Sequence, residues 1–308
     1  MAFTKSLLFS TYSIVARDPQ TGQLGGAVQT HQMGVGRVVL WVAPGTGAVA
    51  TQAFTNVRFG PLALETLRQE VPAARVVEAL IATDPQAAQR QVGVVDNEGR
   101  AAAWTGEKCI AEAGHLLGEG YSVQANMMLT DRVLPAMASA FENHPGDLAA
   151  RMLAALQAAQ REGGDIRGMQ SAALRVVEPG KPTWQSLYDL RVDENAAPLA
   201  ELGRLRRLRA AQILDQQGEQ ALERGELEQA LALWEQARRE APELEELPFW
   251  QALTLVEKTG DVSRARTILD PMLNRVENRP DWLELIRRLV PAEVISEETR
   301  DRLLSALD

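Results

Sequence analysis

Residues 11–30 read TYSIVARDPQTGQLGGAVQT, and their patterning decides the fold. TYSIVAR (11–17) is rich in β-branched and aromatic residues, DPQTG (18–22) is a strong turn, and QLGGAVQT (23–30) resumes the strand pattern. The stretch predicts a β-hairpin. Outward from it, RVVLWVA (37–43) and GAVATQAF (47–54) predict a second strand pair, and residues 91–106 a third around Asn97-Glu98-Gly99. Helical periodicity marks 60–70, 73–82, 131–142 and 147–161, and strand patterns return at 169–177 and 185–192. Strands, two helices, strands, two helices, strands is an α+β order, with helices layered on antiparallel sheets rather than a βαβ parallel sheet.

The 308 residues are 45% apolar, enough for two domains with real cores, and only 5% aromatic. Composition breaks near residue 196: 35 of the first 196 positions are charged, against 38 of the remaining 112, and 19 of the 23 glycines precede the break. Residues 193–202 (DENAAPLAEL) read as the linker, dividing a domain over 11–195 from an all-α domain over 200–308. In the second domain GELEQALALWEQA (225–237) aligns with GDVSRARTILDPM (260–272), pairing Gly225 with Gly260 and Ala230 with Ala265. A period near 35 with glycine at the inter-helix turn is a tetratricopeptide-like pattern, completed by helices at 199–221 and 281–306, with Trp250 and Trp282 as expected core aromatics.

Charge and hydropathy exclude whole classes. A net charge of −9 argues against nucleic acid, and no apolar run approaches the ~18 residues of a membrane span. One cysteine, Cys109, permits no intramolecular disulfide, and the opening MAFTKSLLFS lacks a secretory cleavage pattern, so the expectation is a cytoplasmic protein. The three histidines, His31, His115 and His144, have no metal-ligand spacing, and neither glycine run (34–36, 45–47) has a phosphate-loop context. No metal and no cofactor are expected. Cys109 reads as an inert thiol in a strand.

Three polar stretches stand out. On the opening strand Thr11, Ser13 and Arg17 share one face, with Tyr12, Ile14 and Ala16 on the other; a wetted sheet edge is the plain alternative. Gln29, His31, Gln52, Thr55 and Asn56 fall at strand ends. Gln124, Asn126, Asp165, Arg167, Gln170 and Ser171 sit among glycines and alanines, as in a pocket for a polar, amide-like small molecule, or as turn chemistry.

Taken together, TYSIVARDPQTGQLGGAVQTH, GTGAVATQAFTN, RQVGVVDNEGRAAAWTGEKCI, SVQANMM, GGDIRGMQSAALRVV and LYDLRVDEN resemble, in order, the bacterial family called domain of unknown function 1028, over about 11–195. The resemblance implies a four-layer αββα sandwich like that of the N-terminal-nucleophile (Ntn) hydrolases, and in some members a tetratricopeptide-like tail. It further implies hydrolysis of a small amide or other C–N bond, with Thr11, or Ser13 second, as nucleophile. A freed α-amine would be the base, since its pKa of ~7.7–8.0 suits working pH. Ten residues precede Thr11 and would have to be removed; otherwise His31 is the nearby base candidate. Gln52, Asn56 and Asn126 are the expected oxyanion and substrate donors, with Asp165, Arg167 and Gln170 around the pocket. The competing expectation is a non-catalytic metabolite-binding or assembly module whose tail recruits a protein. Leu303, Leu304 and Leu307 on a final short helix favour a homodimer.

Overall fold

A computed structural model describes residues 8–9, 11–277 and 279–307. The chain forms two compact units, one reaching Arg206 and the other starting at Arg207.

The first unit contains two antiparallel sheets. One holds β1 (Leu8–Phe9), β4 (Leu40–Ala43), β5 (Gly47–Phe54), β6 (Arg90–Asp96) and β7 (Ala101–Thr105), with β1 and β4 both paired to β5. The other runs β11 (Tyr188–Val192), β10 (Ser171–Val177), β3 (Leu24–Thr30), β2 (Thr11–Arg17), β9 (Tyr121–Asn126) and β8 (Gly114–Gly118). Helices α1 (Phe59–Arg68) and α2 (Ala73–Thr83) cover the first sheet through Phe59, Leu67, Val76 and Leu80, packed on Val49, Val92 and Val94. Residues of opposite parity, Ala48, Ala50 and Val95, pack instead on Val15, Val28 and Ala173 of the second sheet. Each strand thus has a helix face and a sheet face, as its period of two requires. Helices α3 (Val133–Asn143) and α4 (Leu148–Arg161) lie on the second sheet, and the Tyr12 hydroxyl reaches Gln160 of α4 at 2.8 Å. Asp147 caps α4 by accepting from the Ala150 amide at 2.7 Å.

Three readings change. β2 is no wetted edge: it lies between β3 and β9 and is buried on both faces. Leu40–Ala43 is the strand within 37–43, because a 3₁₀ turn takes Val35–Arg37. Cys109 lies in the turn after β7 rather than in a strand, donating to the Arg90 carbonyl at 3.4 Å, and burial pushes its thiol pKa up. The short β8 had no sequence reading; its glycine-bounded GHLLG is half exposed and carries little alternation.

The second unit is helical. It comprises α5 (Pro198–Glu223), whose N-terminal third belongs to the first unit, then α6 (Leu227–Glu240), α7 (Glu246–Thr259), α8 (Val262–Leu273), α9 (Arg279–Leu289) and α10 (Glu297–Leu307). The long helix expected to open after Pro198 begins there and continues past Arg206. Gly225 and Gly260 both hold left-handed φ (80° and 71°) where one helix hands over to the next. Trp234 is the fully buried tryptophan; Trp250 and Trp282 pack partly buried around Phe249, with ring centroids 5.0 and 4.8 Å away. Leu303 and Leu307, read as interface candidates, are buried in this unit's own core, with Leu304 against it. No helix among the described residues is long and apolar enough to cross a membrane.

Candidate functional site

The sheet faces of β2, β5, β6 and β9 carry a run of polar residues where an apolar core is the norm. Thr11 pairs in register with Thr30 on one side and Asn126 on the other, and Ser13 with Val28 and Gln124. Directly paired residues point to the same face. Thr11, Ser13, Thr30, Gln124 and Asn126 therefore converge on the opposite sheet, from which Gln52 and Gln91 project. All seven are almost completely buried.

Burial forces these groups to satisfy one another, because an unpaired buried amide or hydroxyl costs about 1–3 kcal/mol. The Ser13 hydroxyl donates to Gln52 Oε1 at 2.6 Å and accepts from Gln124 Nε2 at 2.6 Å. Gln52 Nε2 donates to the Thr11 carbonyl (3.1 Å), Gln91 Oε1 (2.7 Å) and the Gln124 carbonyl (3.3 Å). Asn126 Nδ2 donates to Gln91 Oε1 at 2.9 Å, and Gln91 Nε2 donates to Thr105 Oγ1 (2.9 Å) and the Ala125 carbonyl (2.8 Å). Gly93 belongs to the same arrangement: a Cβ there would collide with the Gln124 carboxamide. The outcome is an amide ladder stitching the sheets together, with Thr11 at one end, its hydroxyl 3.4 Å from that of Thr30.

The sequence candidates divide. Thr11, Ser13, Gln52 and Asn126 lie in the ladder. Asp165 is buried nearby: it accepts from the His31 amide at 3.0 Å, from the Arg167 amide at 2.9 Å and from the Arg167 guanidinium at 3.0 Å, tying the segment after β3 to the one before β10. The His31 ring lies 3.3 Å from the Met169 carbonyl. Two candidates turn elsewhere. Asn56 donates to Asp84 at 2.9 Å and accepts from the Arg58 amide, while Gln170 donates its side-chain amide to Glu194 at 2.6 Å. Asn56 lies just past the end of β5 and Gln170 just before the start of β10, where no alternation dictates direction.

Sequence reasoning missed Gln91, Thr105 and His115. Thr105 Oγ1 and His115 Nδ1 lie 2.9 Å apart, and burial pushes the imidazole pKa down, favouring the neutral ring. The available signal was Gln91 itself, an amide opening the otherwise apolar run QVGVV. Two non-glycine residues with left-handed φ flank the Thr11 end: Ala53 (63°) near the end of β5 and Met127 (59°) just after Asn126. Each costs about 1–3 kcal/mol, and such strain concentrates at functional sites.

Among the described residues, no group of three or more His, Cys, Asp or Glu is placed to hold a metal ion. No curated protein matches the chain. Among solved structures, protein SPO2555 from Silicibacter pomeroyi, a DUF1028 protein, is 33% identical with a TM-score of 0.59, over 64% of this chain and 87% of that one. Anbu (ancestral beta-subunit) from Yersinia bercovieri matches over 62% of this chain and 90% of that one at 10% identity and a TM-score of 0.33, too slight a likeness to carry an argument. A family model described as "Family of unknown function (DUF1028)" matches residues 11–202, and with that match and the Silicibacter relative in hand, the chain belongs to the DUF1028 family.

Proposed function

We propose that the first unit is an Ntn-type hydrolase of an amide or other C–N bond, with Thr11 as nucleophile once residues 1–10 are removed. The observation that carries this reading is the setting of Thr11: the first residue of a central strand, its carbonyl held by Gln52, its register neighbours Thr30 and Asn126. In the reaction Thr11 Oγ1 attacks the carbonyl carbon while its proton passes to the freed α-amine. The C–N bond breaks as that amine protonates the departing nitrogen, and water then cleaves the acyl ester with the same amine as base. Asn126 is the side-chain amide best aligned in register to stabilise the oxyanion, a contribution of about 2.7–4 kcal/mol for a well-aimed donor. Ser13 lies inside the strand with its hydroxyl bonded to Gln52 and Gln124, and cleavage that frees the Thr11 amine would leave that amine two residues away from it, so Thr11 is the nucleophile in this reading. The helical unit, with glycine-punctuated helix pairs like those of tetratricopeptide arrays, serves in this reading to recruit a protein partner.

One feature favours a second reading, a non-catalytic binding module. Leu8 and Phe9 take part in the first sheet by pairing with β5, and with Ser10 before it the Thr11 nitrogen of the uncut chain is a peptide amide rather than a free amine. Intact-mass measurement of the purified protein, joined to turnover assays on a panel of amides, separates the two. The hydrolase reading expects a chain starting at Thr11 and turnover lost in Thr11→Ala. A full-length chain without turnover sinks it.

A further inference from the structure

We infer that the edge of β5 at Ala53 and Phe54 is the acyl-side subsite of the Thr11 centre, and that it takes an extended polypeptide with apolar residues before the scissile bond, added as an antiparallel strand. The inference rests on the hydrolase reading for the chemistry and on the strand pairing for the binding mode. β4 uses this edge from Gly47 to Ala50, and the Val39 carbonyl just before β4 accepts from the Thr51 amide at 3.1 Å. Beyond it Leu8 pairs with Phe54 and Phe9 with Ala53. A single residue, Ser10, then separates Phe9 from Thr11 in the other sheet. The chain's own leader thus shows how an acyl donor runs: the residues preceding the bond lie along β5, and the bond itself follows at Thr11. Gln52 of β5 already holds the Thr11 carbonyl, so one strand contacts both the leader and the nucleophile residue.

Edge pairing recognises main chain, and side-chain chemistry then selects the sequence. The leader offers Leu7-Leu8-Phe9. At the same end of the sheets, the connections after β3, before β8, after β9 and before β10 expose Met33 (56%), Ile110 (42%), Leu129 (55%) and Ile166 (58%). Exposed large apolar side chains at the end of the sheet where Thr11 lies offer a surface to an apolar partner. A small, fully polar amide would leave both the strand edge and these side chains without use.

The test is amide hydrogen exchange of the full chain, which needs no turnover. In an antiparallel pair alternate residues carry the ladder hydrogen bonds, so one of Leu8→Pro and Phe9→Pro must remove a donor. That variant should exchange about fivefold faster or more at residues 53–54, with β2 and β3 unchanged as the control for folding. Adding the peptide MAFTKSLLFS should restore protection at 53–54, and a peptide with Asp at both apolar positions 8 and 9 should not. Should the prolines unfold the chain, Leu8→Asp with Phe9→Asp retains every backbone donor and is read the same way. Unchanged exchange at 53–54 in all variants, or no protection by the added peptide, overturns the subsite. Protection that rises with protein concentration in the variants would put a second copy there and also overturns it. Failure of Thr11 as nucleophile would show as absent turnover with peptide protection intact, so the two proposals fail separately.

Discussion

Gln52 Nε2 lies 3.1 Å from the Thr11 carbonyl oxygen, so a residue near the end of β5 in one sheet holds the first residue of β2 in the other. Its other carboxamide atom accepts from Ser13, and its nitrogen also reaches Gln91. One side chain therefore links four strands, and its loss is a sensitive test of the ladder. Gln52→Ala should destabilise the first unit by about 3 kcal/mol or more, since Ser13, Gln91 and the Thr11 carbonyl each lose a partner in a dry interior. Thermal unfolding of the variant beside the parent checks this; a loss below about 1 kcal/mol would mean that the ladder contributes little.

Thr11 and Ser13 share a face but differ in expected consequence. Thr11→Ala should abolish amide turnover with the fold intact. Ser13→Ala should retain turnover while costing about 1–3 kcal/mol of stability, because Gln52 and Gln124 are then left facing one another without the hydroxyl between them. Rate assays and melting curves on both variants, run side by side, give the answer; turnover lost in Ser13→Ala and kept in Thr11→Ala would reverse the assignment.

Gln29 offers a stabilising change. It is fully buried, paired in register with Tyr12 and Ala172, and neither end of its carboxamide has a hydrogen-bond partner among the described residues. Gln29→Met keeps the volume and removes the buried polar atoms, so the variant should gain about 1 kcal/mol. A lower melting temperature would show that the amide has a use in the folded protein.

Acid stability should depend on Asp84. Burial alone would push its carboxyl pKa up, but hydrogen bonds from Arg90 and Asn56, and the Arg90 charge, hold it below the ordinary value. A carboxylate with a depressed folded pKa contributes stability that is complete above the unfolded pKa of ~3.9 and lost as pH falls through the folded one. Asp84→Asn should therefore flatten the acid limb of the stability profile. At neutral pH it should cost about 3 kcal/mol, since the Arg90 side chain is only 11% exposed and would lose its carboxylate. Urea titrations from pH 3 to 7 read both effects.

In the helical unit, Gly225→Ala and Gly260→Ala should each cost about 1 kcal/mol, because a Cβ disfavours the left-handed φ both positions adopt. No heavy atom lies within 4 Å of a Cβ placed on Gly225, so its cost is purely conformational, whereas at Gly260 the Arg302 guanidinium must also give way. Denaturation midpoints for the pair should rank them in that order; a neutral Gly225→Ala would mean that the turn readjusts.

Elements whose signals are local were legible in the sequence. Alternation along 11–17, 23–30 and 47–54, turn residues at 18–22, and helical periodicity in 73–82 and 147–161 each act over a few residues, and the elements formed there within one or two positions. The face shared by Thr11 and Ser13 followed from the same period of two. The family, too, was readable from motif order. What needed the tertiary structure was everything decided by stacking one sheet on the other. Gln52, Gln91 and Gln124 come from three strands and meet only when the two sheets pack, so the burial that turns them into a ladder has no local signature. Asn56 and Gln170 went elsewhere because residues just outside a strand, after β5 and before β10, follow the loop, and the loop is set by its own partners, Asp84 and Glu194. His115 was invisible for the complementary reason: its significance lies in Thr105, ten residues away, across a contact between the edges of the two sheets.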